Sequence, residues 1–359
     1  MKEYADPQQA RLDAMAAPLL AWYDVNKRTL PWRGTRDPYQ IWVSEVMLQQ
    51  TRVAAVIPYY QRWMAELPDV AALAAVEEEK LLKLWEGLGY YSRARNLKKA
   101  AEVILSQHGG QFPRHYGELL KLPGIGEYTA GAVASIAFGE RVSAVDGNVL
   151  RVAARMALLE GDIMDQQVRR EMRQRMNQAT PSDRPGDFNQ ALMDLGATVC
   201  LPSGAPDCGV CPLSPACAAR AAGRQHALPV RSKKAPRRVE EMTVFLLLCR
   251  GRAALRKRDE AGLLAGLWEF PHVPGTLDES QAGTVLAAWG LNPLDWRQKI
   301  EAKHIFTHVE WRMTGYLLDV REAQGAFTWA DRTELEGMAV PSAFGKYLKE
   351  VHRALEEET

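Results

Sequence analysis

Apolar residues recur at helical spacing through roughly the first two thirds of the chain. The runs LLAWYDVNKR, VSEVMLQQTRVAAVIPYYQRWM and EEEKLLKLWEGLG carry apolar side chains three or four positions apart, with Pro31 after the first run and Gly89 at the end of the third. This spacing predicts helices from Arg11 to about Pro229. We therefore expect residues 1–230 to form an all-α half.

The pattern then changes to short β-type runs: MTVFLLLC, AALRKR, LWEFPHV and KHIFTHVEWRMTGYLLDV, with one helical stretch, SQAGTVLAAWGL. This alternation predicts an α+β domain over residues 239–359. The intervening segment RSKKAPRR, residues 231–238, follows neither period and is interpreted as a basic linker. Such a linker either stays solvated or lies along the phosphates of a nucleic acid, and its composition fits both.

Composition narrows the class of protein. A chain of 359 residues with 47% hydrophobic content can bury a large core, which excludes a disordered protein. The net charge is +1, so a nucleic-acid surface would need local clusters of Lys and Arg. No apolar run approaches the roughly 18 residues of a membrane span, and the N-terminus resembles neither a signal nor a transit peptide. We expect a soluble, intracellular monomer without membrane association.

The stretch LPGIGEYTAGAVASIAFGERVSAVDGNV, from Leu122 to Val149, combines a glycine turn, a helix and an acidic residue. Gly124 and Gly126 allow positive φ, so that backbone N–H groups at the helix start could hold a phosphate. Asp146 follows in a strand-like run about one helix length later. Taken alone, the glycine turn fits an ordinary helix start equally well.

Four cysteines lie within CLPSGAPDCGVCPLSPAC, at positions Cys200, Cys208, Cys211 and Cys217. Such crowding in a reducing compartment indicates a metal site, and four thiolates suit either zinc or an iron–sulfur cluster. The fifth cysteine, Cys249, lies in the apolar run VFLLLC and is interpreted as a core thiol.

Glu45 is the acidic residue of an otherwise apolar and amide-rich helix. Burial would raise the pKa of its carboxyl, so that it could stay protonated near neutral pH and act as a general acid. The alternative is a surface glutamate paired with Arg52.

The runs LPWR, WVSEVMLQQT, LPGIG and VDGNV together resemble the adenine DNA glycosylases of the MutY family, within the helix-hairpin-helix glycosylase superfamily, and the resemblance covers essentially the whole chain. It implies an all-α helix-hairpin-helix half, built as a six-helix barrel with an iron–sulfur loop, followed by an α+β Nudix-like C-terminal domain. It also implies a [4Fe–4S] cluster at residues 200–217. In the superfamily, six, two and five residues separate these cysteines. The first gap here holds seven, and we interpret the extra residue as accommodated by the loop around Gly204.

The resemblance assigns roles to individual residues. Glu45 would protonate adenine N7, and Asp146 would stabilise or covalently trap the sugar C1′, the two-carboxylate logic of glycoside hydrolysis. Asn148 would orient Asp146, and Tyr128 would add a hydroxyl. Trp32 also fits a purely structural role. The residues expected around the DNA and the extruded adenine are Arg28, Leu30, Trp32, Arg33, Leu48 and Gln190.

Base chemistry inside a duplex requires extrusion of the nucleotide. By the same resemblance, Gln50 would enter the gap left by adenine and Tyr90 would wedge beside the opposite base, with Thr51 and Leu88 lining that side. Tyr90 and Leu88 also suit the core.

Phe306, Thr307 and His308 resemble the loop that reads 8-oxoguanine in this family. The expected partner is therefore double-stranded DNA with A·8-oxoguanine or, less efficiently, A·G mispairs, in a bacterial cytoplasm at the nucleoid.

Three alternative functions can be tested against the residues of the sequence. A lyase related to endonuclease III would carry Lys where Tyr128 stands, and a silent lesion-binding protein would lack Glu45 or Asp146. A Nudix hydrolase needs a helix with several glutamates for Mg²⁺, whereas TLDESQAGTVLAAWGL offers only Asp278 and Glu279. We therefore expect a glycosylase without lyase activity.

Overall fold

The structure is a computed structural model that describes residues 6–202, 205–232 and 236–357. Its contacts divide the chain into two compact units: Met1–Ala75 with Asn96–Lys233, and Val76–Arg95 with Lys234–Thr359. A short segment of the helical region thus groups with the C-terminal part of the chain. Two predicted features fall partly outside the described residues. They are the loop around Gly204, where we placed the extra residue between the cysteines, and residues 233–235 of the predicted linker.

Residues 6–202 and 205–232 contain helices and no strand, as the helical periodicity predicts. Aspartates begin several of these helices: Asp37, Asp146 and Asp165 each accept hydrogen bonds from backbone N–H groups of the first turn. The helices are α1 (Pro7–Asp13), α2 (Ala16–Asn26), α3 (Pro38–Leu48), α4 (Val53–Glu66), α5 (Val70–Ala75), α6 (Glu78–Trp85), α7 (Ser92–His108), α8 (Tyr116–Leu119), α9 (Glu127–Phe138), α10 (Gly147–Ala157), α11 (Gln166–Ala179), α12 (Pro185–Thr198) and α13 (Ala218–Ala221).

Two helical runs are shorter than their periodicity suggests. The run that begins at Val43 divides into α3 and α4, because residues 49–52 form a turn in which Gln50 adopts a φ of 60°. The run EEEKLLKLWEGLG stops being helical at Trp85. The strand-like interpretation of the residues before Asp146 is wrong: residues 142–145 belong to no strand, and Asp146 caps α10.

One hydrophobic core of the first unit lies between α1, α2, α10, α11 and α12. Phe188, Leu192 and Leu195 of α12 contribute fully buried side chains to it. Three of the clustered cysteines pack against its edge. This core therefore fixes α10 and α12, the two helices that carry Asp146, Asn148 and Gln190.

The C-terminal part of the second unit is built on a seven-stranded sheet. Its elements are β1 (Arg238–Cys249), β2 (Arg252–Lys257), β3 (Trp268–Glu269), β4 (His272–Pro274), α14 (Glu279–Ala288), β5 (Pro293–Ile305), β6 (Val309–Val320), β7 (Thr328–Ala330), α15 (Arg332–Gly337) and α16 (Gly345–Glu357). The strand order is β3-β2-β1-β6-β5, and in addition β4 pairs with β1 and β7 with β2. The pairing of β1 with β6 is parallel, and β5 and β6 form an antiparallel hairpin. Separate clusters of buried side chains pack on the sheet.

Three features of this sheet bear on the sequence predictions. Cys249 is buried in β1, as expected of a core thiol. Asp278 caps α14 through a capping box, so its carboxylate already binds the helix start. The run KHIFTHVEWRMTGYLLDV is two strands rather than one, and Phe306, Thr307 and His308 form the turn between them, called the reader turn below.

Among the described helices, none combines the length and apolar character needed to cross a membrane.

Candidate active site

Buried Glu45 is hydrogen-bonded to half-buried Tyr128. Glu45 lies on α3 with only 5% of its surface exposed, and its Oε2 accepts a hydrogen bond from the Tyr128 hydroxyl on α9. Burial raises the pKa of Glu45 above its ordinary value, opposed by the Tyr128 hydrogen bond and the charge of Arg33. The surface pairing with Arg52 is therefore wrong, and Glu45 has the environment of a carboxyl that keeps its proton.

Asp146 precedes α10 and is held by three hydrogen bonds. Its Oδ1 accepts from the backbone N–H groups of Asn148 (2.9 Å) and Val149 (2.8 Å), and its Oδ2 accepts from the Asn148 side-chain amide (2.8 Å). Burial raises the pKa of Asp146, while these bonds lower it. The orienting contact expected of Asn148 is therefore present in the structure.

Arg151 extends this network towards the cysteine loop and was missed in the sequence. Its Nη2 donates to Asn148 Oδ1 (2.9 Å) and to the Gly196 carbonyl (2.8 Å), and its Nε donates to the Cys200 carbonyl (2.8 Å). The side chain is 7% exposed. The residue that holds Asp146 is thus bonded, through one arginine, to the backbone of the first clustered cysteine.

Asp194 is a second residue that was not predicted from the sequence. It binds two of the arginines that were expected to contact the base. It has no exposed surface, and its Oδ1 accepts from Arg28 Nε (2.9 Å) and Nη2 (2.6 Å) and from Arg33 Nη2 (2.9 Å). Arg33 Nη1 also donates to Gln190 Oε1 (2.5 Å) and to the Tyr23 hydroxyl (2.7 Å). Two guanidinium groups therefore share one buried carboxylate, and the charge of one of them, Arg33, also acts on Glu45.

The glycine turn before α9 is only partly as expected. Gly124 adopts a φ of 72°, and a Cβ there would lie 2.4 Å from the Cβ of Asn96, so this position requires glycine. The expectation of a positive φ at Gly126 is wrong, because its φ of −91° is accessible to any residue and it simply precedes the helix. The turn therefore depends on Gly124, while Gly126 leaves the start of α9 uncovered.

An open groove runs past this turn. Tyr128, Asp146 and Asn148 line it together with Gly124 and Gly126. The groove also contains a set of basic side chains that suits a polyanion, namely Arg169, Arg173, His226 and Arg231.

The other predicted contact residues divide into exposed and buried groups. Gln50 is exposed, Tyr90 is 46% exposed, and both adopt positive φ, at 60° and 49°. Leu48 and Thr51 are half-buried beside Gln50. The buried members of the set are Leu30, Trp32 and Leu88, and for Trp32 and Leu88 burial agrees with the structural alternative.

The reader turn is held by two backbone hydrogen bonds and one from an arginine side chain. Phe306 N donates to the Val309 carbonyl (2.8 Å), Arg237 Nε donates to the Phe306 carbonyl (3.1 Å), and Arg238 N donates to the His308 carbonyl (3.1 Å). Thr307 shares a short hydrogen bond with the Tyr90 hydroxyl, and His308 is exposed. Thr307 and Tyr90, far apart in the sequence, are therefore neighbours within the second unit.

The four clustered cysteines, Cys200, Cys208, Cys211 and Cys217, line one cavity. Arg155 Nη1 donates to the Cys200 sulfur (3.2 Å). Burial and the neighbouring thiols raise the pKa of Cys208, and burial raises that of Cys211 to about 11. Thiolates here would need a cation to balance them. Within residues 6–202, 205–232 and 236–357, no three Cys, His, Asp or Glu side chains are arranged to hold a single metal ion.

Two family models match the chain. The HhH-GPD superfamily of base excision DNA repair proteins matches residues 43–178, and the NUDIX domain matches residues 243–350. These matches confirm the predicted fold class of a helical glycosylase half followed by a Nudix-like domain.

Relatives named adenine DNA glycosylase cover much of the chain. The mouse protein is 37% identical over 96% of this chain and 79% of its own length, and a Buchnera aphidicola protein is 36% identical over 70% and 72%. The Arabidopsis thaliana protein is 42% identical, but the match spans 71% of this chain and only 46% of that relative.

Solved structures show the same helical fold. A thermostable thymine-DNA glycosylase has a TM-score of 0.54 at 28% identity and covers 60% of this chain and all of its own. A trapped covalent complex of endonuclease III with DNA has a TM-score of 0.51 at 27% identity and covers 61% and 98%.

Proposed function

Because the chain belongs to the adenine DNA glycosylase family of base excision repair enzymes, we propose that it removes adenine mispaired with 8-oxoguanine, and less efficiently adenine paired with guanine. The observation that carries this proposal is a pair of carboxyls in unlike environments. Glu45 is buried and its pKa is raised, whereas Asp146 is half-buried and accepts three hydrogen bonds that favour its charged form. Cleavage of an N-glycosidic bond needs a proton donor for the base and a negative group for the sugar cation.

In the proposed mechanism, Glu45 donates its proton to N7 of the extruded adenine. The C1′–N9 bond then breaks, its electron pair leaves with the base, and the positive charge that develops on the sugar is stabilised by Asp146. A water adds to C1′ and passes a proton back to Glu45. Asn148 keeps Asp146 oriented, and Tyr128 holds Glu45 until substrate arrives.

The charged groups around Glu45 support adenine as the base. Arg28 and Arg33 share Asp194, so their remaining donors have fixed directions and can meet acceptor atoms of a purine. Gln190, bonded to Arg33, would position the same edge. Release of free adenine from a duplex with one A·8-oxoguanine pair tests the proposal, and retention of the base would contradict it.

The reader turn is proposed to recognise the oxidised guanine. We expect alanine at both Phe306 and His308 to lower the preference for A·8-oxoguanine over A·G by about 1–3 kcal/mol, the usual value of a base-edge contact. The single-turnover rate on a saturated A·G duplex should change much less. Leu294→Ala, a 57% exposed position at the far end of β5, is the matched control. Unchanged preference in the double variant would assign recognition elsewhere.

We propose that the four cysteines hold a [4Fe–4S] cluster. Their side chains line one cavity, and four thiolates are the ligands that such a cluster takes. When bound, a cluster would supply iron–thiolate bonds that tie the loop to the core beside α10. Within the chain, Arg155 donates to the Cys200 sulfur and Arg151 to its carbonyl.

We expect the purified protein to be brown, with broad absorbance near roughly 400 nm and about four irons per chain. Cys208→Ser should lose iron, while Cys249→Ala, which alters the cysteine in β1, should keep it. Iron and sulfide analysis with visible spectroscopy measures both. Stoichiometric zinc in a colourless preparation would contradict the cluster.

We also expect base removal without strand cleavage. A lyase forms a Schiff base through an amine near C1′. By the family resemblance, Tyr128 stands where such a lyase carries its lysine, and α9 contains no lysine. Abasic product should remain intact until alkali is added, and borohydride should trap little protein on DNA. Strand breaks without alkali, together with efficient trapping, would show that another lysine reaches the site.

A further inference from the structure

Trp311 lies directly behind the reader turn. It pairs with His304 across the β5–β6 hairpin, and its ring meets Phe306 edge to face at a centroid distance of 4.8 Å and an angle of 71°. His304 contacts Phe306 in the same manner at 4.5 Å. The Phe306 ring is therefore placed by two aromatic neighbours from the strands on either side of the turn.

The Trp311 ring is itself fixed in orientation. It is 3% exposed, and its Nε1 donates to Glu240 Oε2 at 2.9 Å, from the register partner on parallel strand β1. The guanidinium of Arg258 lies over the ring, with its central carbon 5.9 Å from the centroid. Rotation of Trp311 would break both interactions.

Arg258 is held in turn by a buried carboxylate. Glu269 is 2% exposed, its Oε2 accepts a short bond from Arg258 Nη1, and its Oε1 accepts from Arg256 Nε at 2.8 Å. Arg258 Nε also donates to the Leu263 carbonyl at 3.0 Å. The proposed mechanism of adenine removal uses none of these groups. Together they form a continuous set of polar and aromatic contacts that ends at Phe306.

We propose that Trp311, held by Glu240 and Arg258, is a positioning residue that determines how well the reader turn distinguishes 8-oxoguanine from guanine. The inference rests on the proposed function, since it assumes that the turn reads the oxidised base. The two bases differ only at N7–H and O8, so discrimination depends on holding the recognising groups within a fraction of an ångström. A loosened Phe306 would contact both bases with less difference between them.

The test compares excision from A·8-oxoguanine and A·G duplexes for three variants. Trp311→Phe removes the Nε1 donor, Glu240→Ala removes its acceptor, and Glu240→Gln keeps an acceptor oxygen. The first two should each lower the preference for 8-oxoguanine about fivefold, the size expected for one lost hydrogen bond, and the third should behave as wild type. Combining the first two should add little. The matched control is Trp296→Phe, since Trp296 packs on Tyr316 at 5.3 Å.

The A·G rate at saturating enzyme separates positioning from a structural role. Unchanged rate with lowered preference supports the inference, whereas an equal loss on both duplexes overturns it. Unchanged preference in Trp311→Phe and Glu240→Ala also overturns it when alanine at Phe306 and His308 lowers the preference. If alanine at Phe306 and His308 also leaves the preference unchanged, the result contradicts the proposal that the reader turn recognises 8-oxoguanine.

Discussion

Replacement of Glu45 by Gln should reduce adenine release by roughly 10²- to 10⁴-fold, the usual contribution of a general acid, while duplex binding stays close to wild type. An amide fills the same buried space and still accepts the Tyr128 hydrogen bond, but it has no proton to give to adenine N7. Single-turnover excision and a gel-shift titration on one A·8-oxoguanine duplex measure the two quantities.

Glu102→Gln, on an exposed position of α7, is the control for the same chemical change and should have no effect. Retained excision in Glu45→Gln would remove Glu45 from the mechanism. Loss of both excision and binding would instead show that the substitution disturbs the site.

The pH dependence of the excision rate should also show that Glu45 acts as the general acid. Because burial raises the pKa of Glu45, its protonated form persists above the ordinary range of a glutamate, and the excision rate should fall as pH rises through that raised pKa. Tyr128→Phe removes a hydrogen bond that lowers this pKa, so the decline should move to higher pH. An unshifted decline would mean that another group titrates.

Replacement of Asp146 by Asn should lower the excision rate by roughly 10²- to 10³-fold, the scale of a lost electrostatic contact to a transition state. Asn begins helices as well as Asp does, so α10 should keep its start and the thermal unfolding temperature should change little. The loss would then report the missing negative charge beside the sugar cation.

Asp165→Asn is the matched control, because Asp165 begins α11 through the same bonds to backbone N–H groups. Single-turnover rates and thermal unfolding of both variants make the comparison. Equal rates in the two variants would show that Asp146 serves only to begin a helix.

The sequence predicts those features of this protein that depend on neighbouring residues. The change of period near residue 238 separates helices from strands, and the order Asp-Gly-Asn places the Asn148 amide on Asp146 within one turn. Glu45 stands out as a carboxyl within an apolar run, but only the resemblance of the surrounding motifs favours a general acid over a surface glutamate.

Contacts between residues far apart in the chain could not be predicted from the sequence. Asp194 binds Arg28 across 166 positions, and only the packing of α12 brings the two together. The acidic residue within the apolar run ALMDLGA was the available signal. Likewise, the turn at Gln50 and the place of Trp311 behind Phe306 depend on backbone angles and strand register that periodicity does not contain.

The most direct test of the central claim is chromatography of the base released from parallel duplexes that contain A·8-oxoguanine, A·G, C·8-oxoguanine or G·T. We predict free adenine, fastest from A·8-oxoguanine and slower from A·G, with no base released from the other two. Release of thymine from G·T, or of 8-oxoguanine itself, without adenine from either mispair, would contradict the assignment.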